Sequence, residues 1–377
     1  MSRHVINISY IWDGIVPLCH ATSLRMVLEF YGVKYSPAHL MNLSGFNYGF
    51  RYSRNTRVAY ANPITPLGPW EYMAYAAEKL GCITELVKDK SWDETWELLK
   101  SSIEKDVPVL IARLNMEGLW KLQRQAPHLI VLCGYDEEKG VVIAHDPALG
   151  EVGERIQYMP DSKLPRDTSG SYIEYSIDAF KKAFDLTGTP YEDFGKNGFV
   201  IIQPPTERPL IDWAEVIDRN AKLTLGKVEE VIGKQVGGDY ILGPHGILAL
   251  AADVERGFNL LDQPEKLTQL LFQLRGSVFN IGSSYKIDAH AFVAGLAAAT
   301  NNRELEQASY HLRFTALHYE EGLAQVDLIL HNQPISQEEL KLRLSRIAEV
   351  LRRAAESERQ AGESLSKGAK SLQLVPA

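Results

Sequence analysis

The sequence predicts an α+β domain followed by an all-α domain, on three observations. Short runs of branched and aromatic residues mix with helix-like segments up to residue 203. Pro204, Pro205 and Pro209 then interrupt the chain. Beyond them only helical spacing of apolar residues is found. Proline fixes φ and removes a backbone donor, so a strand ending at Ile202 passes into an extended linker there. The expected division is residues 1–203, a Pro-rich linker 204–211 and a helical bundle 212–377. Helices followed by an antiparallel sheet, without regular alternation, argue for α+β over a doubly wound fold.

In the first part, strands are expected at Val107–Ala112, His128–Gly134, Val141–His145, Tyr172–Tyr175 and Phe199–Ile202. Asp136-Glu-Glu-Lys-Gly140 reads as the hairpin turn between the second and third. Helices are expected from Cys19 to Tyr31, ended by Gly32, from Trp70 to Leu80, ended by Gly81, and from Trp92 to Glu104. Ser91 with Glu94 makes a capping box for the last. In the second part, Asp212 with Glu215 caps a helix running to Gln235, Pro264 opens another, and Ser336 with Glu339 caps a long charged one reaching Lys370. Helical spacing also marks Gly246–Glu255, Asp288–Thr300 and Glu304–Leu330.

Composition bounds the function. Among 377 residues, 40 Lys and Arg stand against 48 Asp and Glu, a net charge of −8 that argues against general affinity for a nucleic-acid backbone. No apolar run approaches the roughly 18 residues of a spanning helix, and Met1–Gly14 lacks the order of a secretory signal, so a cytoplasmic protein without membrane association is expected. Cys19, Cys82 and Cys133 form no CxxC pair and no disulfide framework.

The sharpest chemical signal is Pro17-Leu-Cys-His-Ala-Thr-Ser-Leu-Arg-Met-Val-Leu-Glu-Phe-Tyr-Gly32. Leu24, Val27, Leu28 and Tyr31 share one helical face, which leaves Cys19 in the first turn. Unpaired N–H groups and the positive end of the helix dipole stabilise a thiolate there. A thiolate nucleophile needs a base, and His128 opens an apolar strand. Across the hairpin, Asp146 ends the next strand before a Pro turn, so antiparallel pairing brings His128 and Asp146 to one end, where aspartate can hold the imidazole tautomer.

These residues carry a resemblance. The helix-borne Cys, the His-apolar-apolar-Val-apolar strand leading to Gly134-Tyr135 and the Asp146-Pro-Ala-Leu-Gly150 turn resemble the papain-like cysteine peptidase superfamily, in the form of the peptidases that process bacteriocin leaders. Over residues 4–203, together with Leu43-Ser-Gly-Phe-Asn-Tyr-Gly-Phe-Arg-Tyr52, the chain is more similar to the family of the butirosin biosynthesis protein H, with a looser similarity in the helical remainder. That resemblance implies a papain-like fold, with Cys19 as nucleophile, His128 as general base and acid, and Asp146 as orienting carboxylate. It further implies transfer of an acyl group from a carrier-protein thioester to a small amine, in specialised-metabolite biosynthesis. No metal or redox cofactor is then expected, and phosphopantetheine enters as part of the donor. The peptidases place an oxyanion-donating Gln several residues before the Cys, where this chain has Asp13-Gly14; Asn7 is a substitute candidate. That departure favours transfer over a cysteine peptidase or amidase, and a non-catalytic carrier- or peptide-binding module is the third reading.

Ser44–Gly68 reads as a long loop in which Arg51, Arg54 and Arg57 sit among Tyr48, Phe50, Tyr52 and Tyr60. Arg51, Arg54, Arg57 and Tyr52 are therefore candidates for holding a pantetheine phosphate and an acidic acyl or peptidyl carrier protein, with a solvated loop as the alternative. Cys82 and Cys133 read as structural, His20 as a surface or cap residue, and His145 as second choice for the base. His311 and His318, with Glu321 nearby, read as ordinary helix residues and not as metal ligands. Arg352, Arg353 and Arg359, interleaved with Glu349, Glu356 and Glu358, read as a salt-bridged surface or a homodimer face.

Overall fold

A computed structural model describes residues 2–12, 19–62, 69–122, 127–150, 168–188, 195–207, 209–233, 239–332 and 334–372. In chain order its strands are β1 (Arg3–Val5), β2 (Arg51–Ser53), β3 (Ala59–Tyr60), β4 (Ile83–Val87), β5 (Val109–Asn115), β6 (Pro127–Asp136), β7 (Val141–His145), β8 (Ile173–Ser176), β9 (Phe199–Gln203) and β10 (Tyr240–Leu242). The helices are α1 (Cys19–Phe30), α2 (Pro37–Ser44), α3 (Pro69–Lys79), α4 (Trp92–Glu104), α5 (Met116–Leu119), α6 (Ile177–Phe184), α7 (Trp213–Thr224), α8 (Val228–Ile232), α9 (Gly243–Glu255), α10 (Pro264–Gln273), α11 (Ile281–Thr300), α12 (Arg303–His331) and α13 (Gln337–Leu372). The architecture is α+β. Two compact units form, one of residues 1–40 and 66–211, the other of residues 41–65 and 212–377. A single cut in the Pro-rich stretch does not separate them, because residues 41–65, assigned to the first domain from sequence, pack with the helices of the second unit.

The first unit holds an antiparallel sheet in the order β4-β9-β5-β6-β7-β8, and β1 pairs with the far end of β6. The β6–β7 hairpin turns because Asp136 Oδ1 accepts from the backbone N–H groups of Glu138 and Lys139, while Gly140 takes a φ of +66°. Leu24, Val27 and Leu28 of α1 are buried, and this helix packs on β5 and β6. The reciprocal Ser91–Glu94 capping box starts α4. The sheet therefore supplies a rigid floor on which the first turn of α1 meets one end of the β6–β7 hairpin.

The second unit is helical but not purely so. Strands β10, β2 and β3 form a small antiparallel sheet, which corrects both the strand-free reading of this half and the reading of residues 44–68 as an unstructured loop; residues 63–68 lie outside the described residues. The helix expected from Asp212 to Gln235 is broken between α7 and α8, where Gly226 has a φ of +78° and a Cβ would meet the Leu242 carbonyl carbon at 2.8 Å; Gln235 lies outside the described residues. The core joins Phe50, Tyr52, Ala59 and Ala61 to residues of α9, α10, α12 and α13. Within it Lys286 and Glu358, both fully buried, form an ion pair of 2.5 Å, and Lys286 Nζ also donates to the Asn47 carbonyl at 3.1 Å. Burial pushes the Glu358 carboxyl up, and the Lys286 charge opposes that shift.

Candidate active site

Cys19 is the first residue of α1 and is half-buried, with no acidic side chain in the first turn to compete for the helix dipole. His128 lies at the start of β6, opposite Leu114 of β5, just past a register shift between Ile111 and Leu114. Asp146 follows the last residue of β7. Because Val131 pairs with His145, the start of β6 and the end of β7 share one end of the hairpin. There His128 Nε2 donates to Asp146 Oδ1 at 2.7 Å, with both residues buried. The Cys19 side chain is the other group that favours the protonated imidazole. With Nε2 committed to aspartate, Nδ1 is the nitrogen left for the sulfur.

Asp146 is held on all sides. Its Oδ1 also accepts from the Ala148 backbone N–H at 3.0 Å, the tight turn expected of Asp-Pro-Ala. Its Oδ2 accepts from Trp120 Nε1 and from the Tyr175 hydroxyl, each at 3.0 Å. The backbone N–H of Asp146 donates to the Gly170 carbonyl at 2.8 Å. A Cβ on Gly170 would lie 2.2 Å from the carbonyl oxygens of Asp146 and Leu149, so only glycine lets this segment close on the Asp146 turn. Tyr10 donates from its hydroxyl to the same two carbonyls.

Burial alone would push the His128 pKa down. The charges of Asp146 and Cys19 and the hydrogen bonds to both overcome that effect and raise it to about 10. The imidazole is therefore an imidazolium at neutral pH, set between a carboxylate and a sulfur. Burial, followed by the Asp146 charge, pushes the Tyr175 phenol well above its ordinary value, so it stays a donor. Burial pushes Cys82 up to about 11 and Cys133 to about 12, which keeps both as inert thiols.

His145 is engaged through both nitrogens: Nδ1 accepts from the Tyr172 N–H at 3.0 Å and Nε2 donates to the Ile8 carbonyl at 2.9 Å. Burial lowers its pKa, so it is a neutral structural residue. His20 is buried, contrary to its reading as a surface or cap residue, and burial followed by the nearby Arg113 charge lowers it to about 3. Asn7 is exposed, and its Oδ1 accepts from the Tyr172 hydroxyl at 3.3 Å; Asp13 and Gly14 lie outside the described residues.

The arginine-aromatic cluster falls in the second unit and divides in two. Arg51 is buried with its guanidinium 4.5 Å from the Tyr60 ring centroid and 5.5 Å from that of Tyr240, and Tyr52 is buried with its hydroxyl on Asp253 at 2.7 Å. Both are core residues and correct the reading of them as carrier contacts. Arg54 is exposed, 3.9 Å from Asp253, and Arg57 is half-buried with a φ of +57°. In the helical unit, burial lowers the pKa of His311 and His318. No group of three His, Cys, Asp or Glu side chains that could hold a metal occurs among the described residues. No described helix is long and apolar enough to cross a membrane.

Residues that sequence reasoning missed are Trp120, Tyr175, Tyr10 and Gly170. Only Tyr175 carried a signal: Ile173 and Tyr175 alternate with Glu174 and Ser176, which marks one inward face of β8.

Residues 6–176 match the model of the Peptidase_C39 like family. That stretch contains Cys19, His128 and Asp146. The match covers less than half of the chain and is a similarity to that C39-like family over the sheet-bearing part. It does not reach the narrower family of the butirosin biosynthesis protein H. No curated protein matches the chain.

Proposed function

We propose that this protein is an acyltransferase that takes an acyl group from a pantetheine thioester on a carrier protein, holds it on Cys19 and passes it to a small amine as an amide. The observation that carries the reading is the junction of a half-buried Cys19 with the buried His128–Asp146 pair. The Cys19 thiolate attacks the thioester carbonyl, and the tetrahedral oxyanion forms beside the backbone N–H groups of the first turn of α1. Collapse expels the pantetheine sulfur, which takes the proton from His128. The neutral imidazole then removes a proton from the incoming amine as its nitrogen attacks the acyl-enzyme. Cys19 leaves as thiolate and again faces an imidazolium.

The family match favours a second reading, peptide cleavage, in which the same acyl-enzyme is discharged by water. Intact mass spectrometry after incubation with thioesters on pantetheine and on carrier protein separates the two. Transfer predicts a mass increment on the wild type, none on Cys19→Ala, and discharge of that increment by added amines. Absence of any increment, with rapid iodoacetamide labelling of Cys19, would move the assignment to the peptidase.

A further inference from the structure

We propose that Trp120, together with Tyr175, is a positioning residue that locks Asp146 and His128 into one rigid unit. The inference rests on the Cys19 reading only for what that unit serves. A carboxylate bonded through one oxygen can still swing about its own axis, so orienting the imidazole requires the second oxygen to be fixed as well. Oδ2 is fixed from two directions. Trp120 closes the one-turn helix α5, which Asn115 caps directly at the end of β5, and its own N–H returns to the Met116 carbonyl at 2.8 Å. Tyr175 arrives from β8, opposite Val142 of β7. The carboxylate is thus gripped from the β5 side and the β8 side of the sheet.

The two donors are not equivalent. A hydroxyl can turn round and accept, whereas an indole N–H only donates. Trp120 therefore always takes a lone pair of Oδ2, which leaves Oδ1 facing His128. The same indole lies against the imidazole, with ring centroids 4.6 Å apart and planes inclined by 50°. One side chain touches both partners: it fixes the roll of the carboxylate through Nε1 and limits the tilt of the imidazole through its face.

The test compares Trp120→Phe and Tyr175→Phe with wild type in the full chain. It uses ¹⁵N NMR titration of the His128 ring and the rate of Cys19 carbamidomethylation at neutral pH, read by peptide mass spectrometry. Losing a neutral donor concentrates the carboxylate charge on His128. Both variants should therefore move the His128 midpoint upward, by about half a pH unit or more for Trp120→Phe. Loss of orientation should slow carbamidomethylation about 10-fold. Unmoved midpoints and alkylation rates within about twofold, alongside a lowered Tm, would reduce Trp120 to packing and overturn the proposal. If Trp120→Phe does not fold, Tyr175→Phe removes only an oxygen and puts the same question to Asp146. Both readouts are independent of any thioester. A wild type that forms no adduct would sink acyl transfer while leaving the positioning role to be decided by the midpoints.

Discussion

Two buried ion pairs, one in each unit, show what separates a structural charge from a chemical one. His128–Asp146 and Lys286–Glu358 are both sealed from solvent and both close, at 2.7 and 2.5 Å. In the helical unit the ammonium is spent on Glu358 and on the Asn47 carbonyl, so the pair ties residues 41–65 to the bundle. In the sheet unit the carboxylate is saturated by four donors, while the imidazole keeps one nitrogen for a half-buried cysteine. Burial of charge is common to both; only one pair has an outlet to a nucleophile that solvent reaches. A buried, perturbed group becomes a functional candidate when it is connected in that way, and not by its burial alone.

The contrast can be broken at either pair. His128→Ala should lower acyl-transfer turnover by about 10³- to 10⁴-fold and also lower Tm, because Asp146 loses its buried partner, whereas Cys19→Ala should abolish covalent acylation with little change in Tm, as measured by steady-state kinetics beside calorimetry. Lys286→Met should do the opposite. It leaves Glu358 buried without its partner and should cost about 3–5 kcal/mol in urea unfolding, whereas Lys286→Met with Glu358→Leu should recover most of that loss. A Lys286→Met variant as stable as wild type would break the structural assignment.

A pH series sharpens the comparison within the sheet unit. His128 is raised from 6.5 to about 10, so the folded chain holds a proton that the unfolded chain releases. Its contribution to stability is complete below about pH 6.5 and is lost as pH rises toward 10. His20, lowered to about 3, works in the other direction: the unfolded chain takes up a proton that the folded one refuses, and stability is lost as pH falls from 6.5 toward 3. Thermal unfolding should therefore show an optimum near pH 6.5, with each limb contributing at most about 1.4 kcal/mol per pH unit. His20→Gln should flatten the acid limb and His128→Gln the alkaline one. The smallest effect should come from Asn302→Ala. Asn302 caps α12 by accepting from the Glu304 and Leu305 N–H groups and donates to the Gly368 carbonyl, so its loss should cost about 1–2 kcal/mol by urea unfolding.

The sheet and its hairpin were legible because strand ends carry local marks. Gly140 and the acidic turn start the β6–β7 pairing, which, after a one-residue shift between Leu132 and Gly134, brings the start of β6 beside the end of β7 and His128 to Asp146. Cys19 was legible because the apolar face of α1 fixes which residue opens the helix. The second grip on Asp146 was not, since Trp120 follows a one-turn helix with no periodicity to reveal it. Arg51 and Tyr52 misled for a related reason. Arginines among tyrosines look like a charged binding loop until β10, nearly 190 residues later, pairs with β2 and buries them. The reading of His20 as a surface or cap residue fails because a helix start is open to solvent only where nothing covers it. The first turn of α1 is enclosed on more than one side, and His20 through Leu24 are all buried.

The assignment of residues 41–65 to the helical unit sets a condition on how the chain is made. Phe50, Tyr52, Ala59 and Ala61 leave the ribosome well before α9, α12 and α13, the helices whose core they complete. During synthesis this segment waits as an apolar loop inside an otherwise finished amino-terminal half, and the second unit closes only after the carboxy-terminal helix has emerged. A cut after residue 203 would strand that loop permanently, so the amino-terminal half expressed alone should aggregate even with its sheet intact.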